Sequence, residues 1–163
     1  PTRGLMGYTS RFLTLTKGTG VINRIFHGFG KFEGEMDGRK NGALISMSNG
    51  KAVAFAIFNL QARGEMFVTH NDPVYEGMIV GLAPKAGDMI INVMKGKQLT
   101  NMRTQGTDEN VVLTPVRQMS IAEQLSMLNT DEALEITPKS LRLRKAILNP
   151  TDRKKNEKSG TPL

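Results

Sequence analysis

Residues 95–110 read KGKQLTNMRTQGTDEN, and their side chains are those in this sequence best suited to bind a polyanion. Lys95, Lys97 and Arg103 can neutralise phosphates, while Gln98, Thr100, Asn101 and Gln105 supply donors and acceptors for sugar, phosphate or base edges. Leu99 and Met102 are the only large apolar residues there, and no helical or alternating period runs through the stretch, so it reads as a long surface loop. Loops of this kind are uncommon in compact domains, and where they occur they are mostly functional or disordered. The plainer reading is a solvated connection, and the sharper one is a finger reaching into RNA. A second basic group is Arg142, Arg144 and Lys145, in which the spacing of the two arginines puts both guanidinium groups on one face of a strand.

Other chemistry finds little support. His27 and His70 have no ligand spacing between them, and the absence of Cys removes disulfides, thiol catalysis and Cys-based metal sites. No G-x-x-x-x-G-K-S/T occurs; Gly96 and Lys97 are followed by Gln98, so no phosphate cradle of that type forms. The acidic residues are scattered over linkers and turns without suggesting a paired carboxylate site. Ten Met residues are spread through the chain as core filler. The balance of 22 Lys and Arg against 15 acidic residues gives +7, which favours a polyanionic partner. Six of those seven charges lie from Lys139 onward, where eight basic residues face Asp152 and Glu157. The longest apolar run, 52–58, is far too short to span a bilayer, and the N-terminus lacks a secretion pattern, so a soluble, cytoplasmic protein is expected. Pro1 in place of an initiator Met suggests a piece of a longer chain.

The elements that must hold these residues follow from pattern. With 39% hydrophobic residues the chain can build one ordinary core plus an appended piece. A two-turn helix capped by Thr9 and ended by Gly18 or Gly20, then a strand over 21–26, reads as half of a small α/β unit whose partners are missing. Glycines at 30, 34, 38 and 42 mark a boundary. Beyond it, strands over 43–47 and 52–58 flank Ser48-Asn49-Gly50-Lys51, which predicts a hairpin. Further strands are expected over 74–80, 88–94 and 111–113. Ser120 and Glu123 have capping-box spacing for a helix over about 120–129, with Ile121, Leu125 and Leu128 as its buried stripe. Leu134 and Ile136, a turn at Pro138-Lys139, and Leu141 and Leu143 predict a second hairpin, and after Pro150 a basic, disordered tail is expected. The fold class is therefore α+β and strand-rich, with one main helix.

Several of these segments, RGLMGYTSRFLTLTKGTG at 3–20, NGALISMSNGKAVAFAIFNLQARG at 41–64, VYEGMIVG at 74–81, GKQLTNMRTQGTDE at 96–109 and EITPKSLRLRK at 135–145, together resemble the C-terminal part of the TypA/BipA family. That family consists of ribosome-associated translational GTPases of bacteria and plastids. The resemblance implies that 1–32 is the second half of a unit like domain V of elongation factor G, with a ferredoxin-like fold. It implies that 33–149 is the family's own C-terminal domain, followed by the tail at 150–163. It further implies an intact parent that uses GTP and Mg, supports large-subunit assembly and growth under stress, and reaches with loop 95–110 toward the acceptor end of A-site tRNA. The fragment itself is expected to be non-catalytic, with no cofactor of its own, and to bind ribosomal RNA and tRNA. The rival expectation is a protein-interaction module that docks on ribosomal proteins or regulates its own GTPase domain.

Overall fold

The computed structural model describes residues 2–5, 7–32, 34, 39–96 and 112–159. A short 3-10 helix at Thr2–Leu5 precedes helix α1 (Tyr8–Leu15), then come β1 (Ala43–Ser46), β2 (Gly50–Lys51), α2 (Ala54–Gln61), β3 (Glu65–Met66), β4 (Pro73–Val74), β5 (Ile79–Leu82) and β6 (Met89–Ile91). Helix α3 (Ile121–Ser126), strands β7 (Glu132–Ile136) and β8 (Leu141–Lys145) and helix α4 (Pro150–Ser159) complete the chain. The architecture is strand-rich α+β, in keeping with the sequence.

The main sheet has the order β3-β5-β1-β6, with β6 parallel to β1 and the other pairs antiparallel. All four residues of β1 are buried, as expected of a central strand covered on both faces. Leu44 and Val80 face a core shared with Ile57 and Leu60 of α2, while Ala43, Ile45 and Ile79 face a second core closed by Leu143. Each fully buried Leu, Ile or Val contributes roughly 1.5–3 kcal/mol, so this two-sided sheet holds the domain together. The β7–β8 hairpin forms as expected, pairing Glu132 to Lys145 through Ile136 to Leu141, and meets the main sheet at a bridge between Met78 and Arg144. Gly77 makes that junction possible: at φ 82° its N–H donates to the Ser46 carbonyl and its own carbonyl accepts from Lys145 N–H.

Other expectations are corrected. Residues 54–61 form a helix, where a strand was expected over 52–58; a short apolar run suits either, and here Ala56, Ile57 and Leu60 supply a helical face that caps the sheet. Ser48 and Asn49 form a bend that runs directly into β2, Asn49 and Gly50 do not take positive φ, and β2 pairs with β4 while β1 does not pair with β2, so the expected hairpin does not form. Asn49 Oδ1 accepts from Glu76 N–H, tying this bend to the turn before β5. That turn interrupts the expected strand over 74–80 between β4 and β5. Helix α1 starts at Tyr8 after Gly7, with no side-chain cap from Thr9, and Gly18 N–H closes it on the Leu13 carbonyl. Residues 21–26 pair with no strand among the described residues, and Val21, Ile25 and Phe26 are exposed. A strand needs neighbours to bury a face, and here it has none.

The tail is helical over Pro150–Ser159 instead of disordered. Asn149 Oδ1 accepts from Thr151 and Asp152 N–H while Pro150 opens the first turn, a start signal legible in Asn149-Pro150. Helix α3 begins with the expected capping box: Ser120 Oγ accepts from Glu123 N–H and Glu123 Oε2 from Ser120 N–H. That backbone donation, more than the Arg117 charge, holds the Glu123 carboxyl below the ordinary range against a modest desolvation. The helix ends at Ser126, however, with Met127 as its cap, so Asn129 does not close it. Of its expected stripe only Leu128 packs on a core, since Ile121 is 46% and Leu125 42% exposed while Gln124 is buried. Ser120→Ala should therefore cost about 1 kcal/mol, and Leu125→Ala no more than about 0.5 kcal/mol, as at other surface positions. Urea unfolding of both variants measures this, and a loss of several kcal/mol at Leu125 would show the exposed reading to be wrong.

Candidate RNA interface

The basic segment leaves the domain from a fixed point. Val93 is fully buried, its carbonyl accepts from Val53 N–H, and Met94 packs on the main core with its N–H held by Asn92 Oδ1. Lys95, which follows, is exposed. On the returning side Leu113 packs on the same core, and Gln61 at the end of α2 grips Thr114 twice, donating from Nε2 to its carbonyl at 2.9 Å and accepting its N–H at 3.1 Å. Both ends of the segment are thus anchored to the layer formed by α2 and the sheet. Of the expected contacts in this region, Lys97, Gln98, Thr100, Asn101 and Arg103 lie outside the described residues, as does most of the loop over 95–110.

Arg142 and Arg144 share one face of β8, with Leu143 and Lys145 turned to the other. Their face also holds Glu135, the cross-strand partner of Arg142, and their guanidinium–carboxylate distance is 3.6 Å. Glu135 Oε2 accepts from the Tyr75 hydroxyl as well. Burial, and then that carboxylate, push the Tyr75 phenol up to about 12, against the opposing charges of Arg144 and Arg142. Glu135→Gln should bring the phenol back toward about 10, which alkaline difference absorbance would follow; an unchanged titration would mean that burial acts alone. Arg144 donates to the carbonyls of Lys145 and Ala146 and has no carboxylate partner among the described residues.

Lys145 is corrected as an RNA contact. Its side chain is 2% exposed, and Nζ lies 2.5 Å from Asp88, 2.6 Å from Asp131 and 2.9 Å from Glu132. An ammonium buried among three carboxylates offers nothing to a phosphate. Arg39 completes the cluster with a bidentate grip on Glu132, whose side chain is fully buried. Burial alone would raise the Asp88 carboxyl, but donation from Lys145 and Ala43 N–H and the charges of Lys145 and Arg39 hold it below the usual range. Burial likewise opposes the charge on Lys145, and its bonds to Asp131, Asp88 and Glu132 prevail, holding its ionisation above the ordinary lysine value. The cluster joins the segment entering the domain, the start of β6 and the β7–β8 hairpin, so it is structural. Lys145 shares its face with Leu143, a signal already present in the period of two.

The fold is that of a strand-rich α+β domain in which both flanks of a basic segment are anchored on the core. The model of the TypA/BipA C-terminal domain matches residues 41–150. The chain is 46% identical over 162 residues to the large ribosomal subunit assembly factor BipA of Buchnera aphidicola, covering 99% of this chain and 27% of that protein. It is 46% identical over 156 residues to the factor of the same name in Salmonella typhimurium, covering 95% of this chain and 26% of that one. With the corresponding Haemophilus influenzae protein it shares 41% identity over 162 residues, 99% of this chain and 26% of that one. The chain belongs to the TypA/BipA family, as its C-terminal part. It spans about a quarter of the length of the curated relatives that it matches.

Proposed function

We propose that this chain is the RNA-facing C-terminal portion of a TypA/BipA-type translational GTPase that acts on the large ribosomal subunit during its assembly and in translation under stress. The observation that supports it best is the anchoring of both ends of the basic segment, by Val93 and Met94 on one side and by Leu113 and the Gln61–Thr114 pair on the other. A fixed base lowers the ordering cost of a segment that must reach into RNA. Lys95, Lys97 and Arg103 supply phosphate contacts, with Gln98, Thr100 and Asn101 as polar readers and the acceptor end of A-site tRNA as the target. Arg142 and Arg144 form a second patch, weakened at Arg142 by its pairing with Glu135. The relatives, which are named large ribosomal subunit assembly factors, support the partner.

GTP hydrolysis and Mg belong to the parent in this reading, because the residues of this chain do not fit them. No phosphate-cradling loop occurs in the sequence, and no group of three potential metal-binding His, Asp or Glu side chains occurs among the described residues. Among the described residues no helix is long and apolar enough to cross a membrane, and a cytoplasmic protein is part of the proposal. Residues 1–32 are assigned to the second half of the domain V-like unit. Exposure of Val21, Ile25, Phe26, Phe29 and Phe32 suits a contact between that segment and other parts of a parent protein, while the second reading of the chain remains a module that docks on ribosomal proteins or regulates its own GTPase domain. Cosedimentation of the chain with large subunits before and after limited RNase digestion tests the main reading. Loss of binding on digestion is expected, whereas undiminished binding would favour a ribosomal protein as the partner.

A further inference from the structure

A groove of about 520 Å³ runs between α2 and β6 and includes Lys95 at the start of the basic segment, while a larger one, of about 810 Å³, lies between residues 116–124 and the β7–β8 hairpin. The larger one is rimmed by Arg117, Lys139 and Arg142, but Arg117 pairs with Glu123 at 3.3 Å and Arg142 with Glu135 at 3.6 Å. Neither groove has an acidic residue in its walls, but the larger keeps only Lys139 without a carboxylate partner among the described residues, against two such cations in the smaller one. It holds Arg63 and Lys95, neither of which has a carboxylate partner among the described residues, together with Asn59, Asn92, Phe55 and Ile90. Phe55, Asn59 and Arg63 stand at i, i+4 and i+8, which gathers an aromatic ring, an amide and a guanidinium along one line of α2 and its C-terminal extension. Across the groove Ile90 is 44% exposed and supplies an apolar wall. Asn59 Nδ2 is committed to the Phe55 carbonyl and Asn92 Oδ1 to Met94 N–H, so Asn59 keeps a carbonyl oxygen and Asn92 an amino group for a ligand.

We propose that this groove is a binding site for unpaired RNA, in which one base lies against Phe55 and Ile90 while Arg63 and Lys95 take the phosphates on either side. The proposal rests on the RNA-facing reading of the chain and extends that interface from the basic segment onto the body of the domain. The chemistry is that of single-strand recognition, where an aromatic face accepts any base and flanking cations track the backbone. The size falls within the roughly 300–1,000 Å³ typical of small-molecule sites. The remaining acceptor of Asn59 and donor of Asn92 give the site one group of each kind for a base edge. Lys95 joins the two parts of the interface, since it both lines the groove and begins the basic segment.

The test uses the full chain with a short single-stranded RNA carrying thiouridine, and in parallel with large ribosomal subunits. Phe55→Leu keeps the apolar volume and removes the stacking face, and it should weaken the oligonucleotide by about tenfold, the order found for loss of one base–aromatic stack. Arg63→Gln acts at the end of the helix and should lower the slope of log affinity against log salt by about 0.7, a readout independent of whether Phe55→Leu folds. Photocrosslinks should fall on the peptide that contains Phe55 and Arg63. If the wild-type chain binds no RNA, this proposal and the reading beneath it both fail. If Lys97→Ala with Arg103→Ala weakens RNA while Arg63→Gln leaves affinity and salt slope unchanged, the groove assignment alone is overturned. If the groove variants lower affinity for large subunits and leave the oligonucleotide untouched, the groove takes a protein, and the RNA assignment is likewise overturned.

Discussion

Lys145→Met is expected to destabilise the domain by about 3–5 kcal/mol, the range for removing one member of a buried ion cluster. The lysine side chain is 2% exposed, and its loss leaves Asp88, Asp131 and Glu132 close together with only Arg39 to balance them. The Glu132 side chain is fully buried, so its carboxylate has no solvent to replace the lost ammonium, whereas Asp88 and Asp131 are partly exposed. The pH dependence carries the same signature. Asp88 is held below its unfolded value, so its contribution is present above the ordinary aspartate range and disappears as pH falls through its lower, folded value. Lys145 is held above its unfolded value, so its contribution is complete below the ordinary lysine range and disappears only as pH rises through its folded value. Urea midpoints should therefore be level at neutral pH, fall in acid, and fall again above the usual lysine range. In the variant the alkaline limb assigned to Lys145 should vanish, because its titrating group is gone. If Lys145→Met left the midpoint unchanged and instead flattened the salt dependence of RNA binding, the structural role assigned to this residue would be wrong.

Replacing Lys95, Lys97 and Arg103 together with Ala should lower the slope of log affinity against log salt by about 2, from roughly 0.7 for each single-strand phosphate contact. Lys95 is exposed at the end of the anchored strand exit, and it has no carboxylate partner among the described residues whose loss would unbalance the fold. The unfolding midpoint should be unaffected, since exposed charges contribute little to stability. Affinity for large subunits should fall most at low salt and converge with wild type at high salt, as counterion release loses its advantage. Two parallel salt titrations measure the difference. Coincident curves would remove this segment as the electrostatic contact and leave the cations of β8 and α4 as the better candidates.

Lys145 is buried and Lys95 exposed, although both sit in basic stretches of sequence. Local signals read correctly where the interaction that decides them is itself local. The capping box at Ser120 and Glu123 spans three residues and forms as written. The β7–β8 hairpin follows from two alternating runs around Pro138-Lys139, and its period places Arg142 and Arg144 on one face. The family was legible as well, because motifs such as those at 41–64 and 135–145 are specific in kind and order.

Where a segment's conformation depends on distant partners, the tertiary structure decided it. Residues 54–61 are apolar enough for strand or helix, and the helix prevails because the open face of the main sheet offers Leu44 and Val80 for Ile57 and Leu60 to cover. That choice created the line of Phe55, Asn59 and Arg63, which a strand would have divided between two faces. Asn49-Gly50 signals a hairpin turn, yet Gly50 joins β2, which pairs with β4. Lys145 has the sequence context of a basic patch, yet its partners come from the start of β6 and from β7, and Arg39 reaches Glu132 across 93 residues. Sequence by itself determined the β7–β8 hairpin, the capping box at Ser120 and the residue types of the basic segment. Only the packed structure determined which cations remain at the surface, because burial and charge pairing arise from groups that become neighbours on folding.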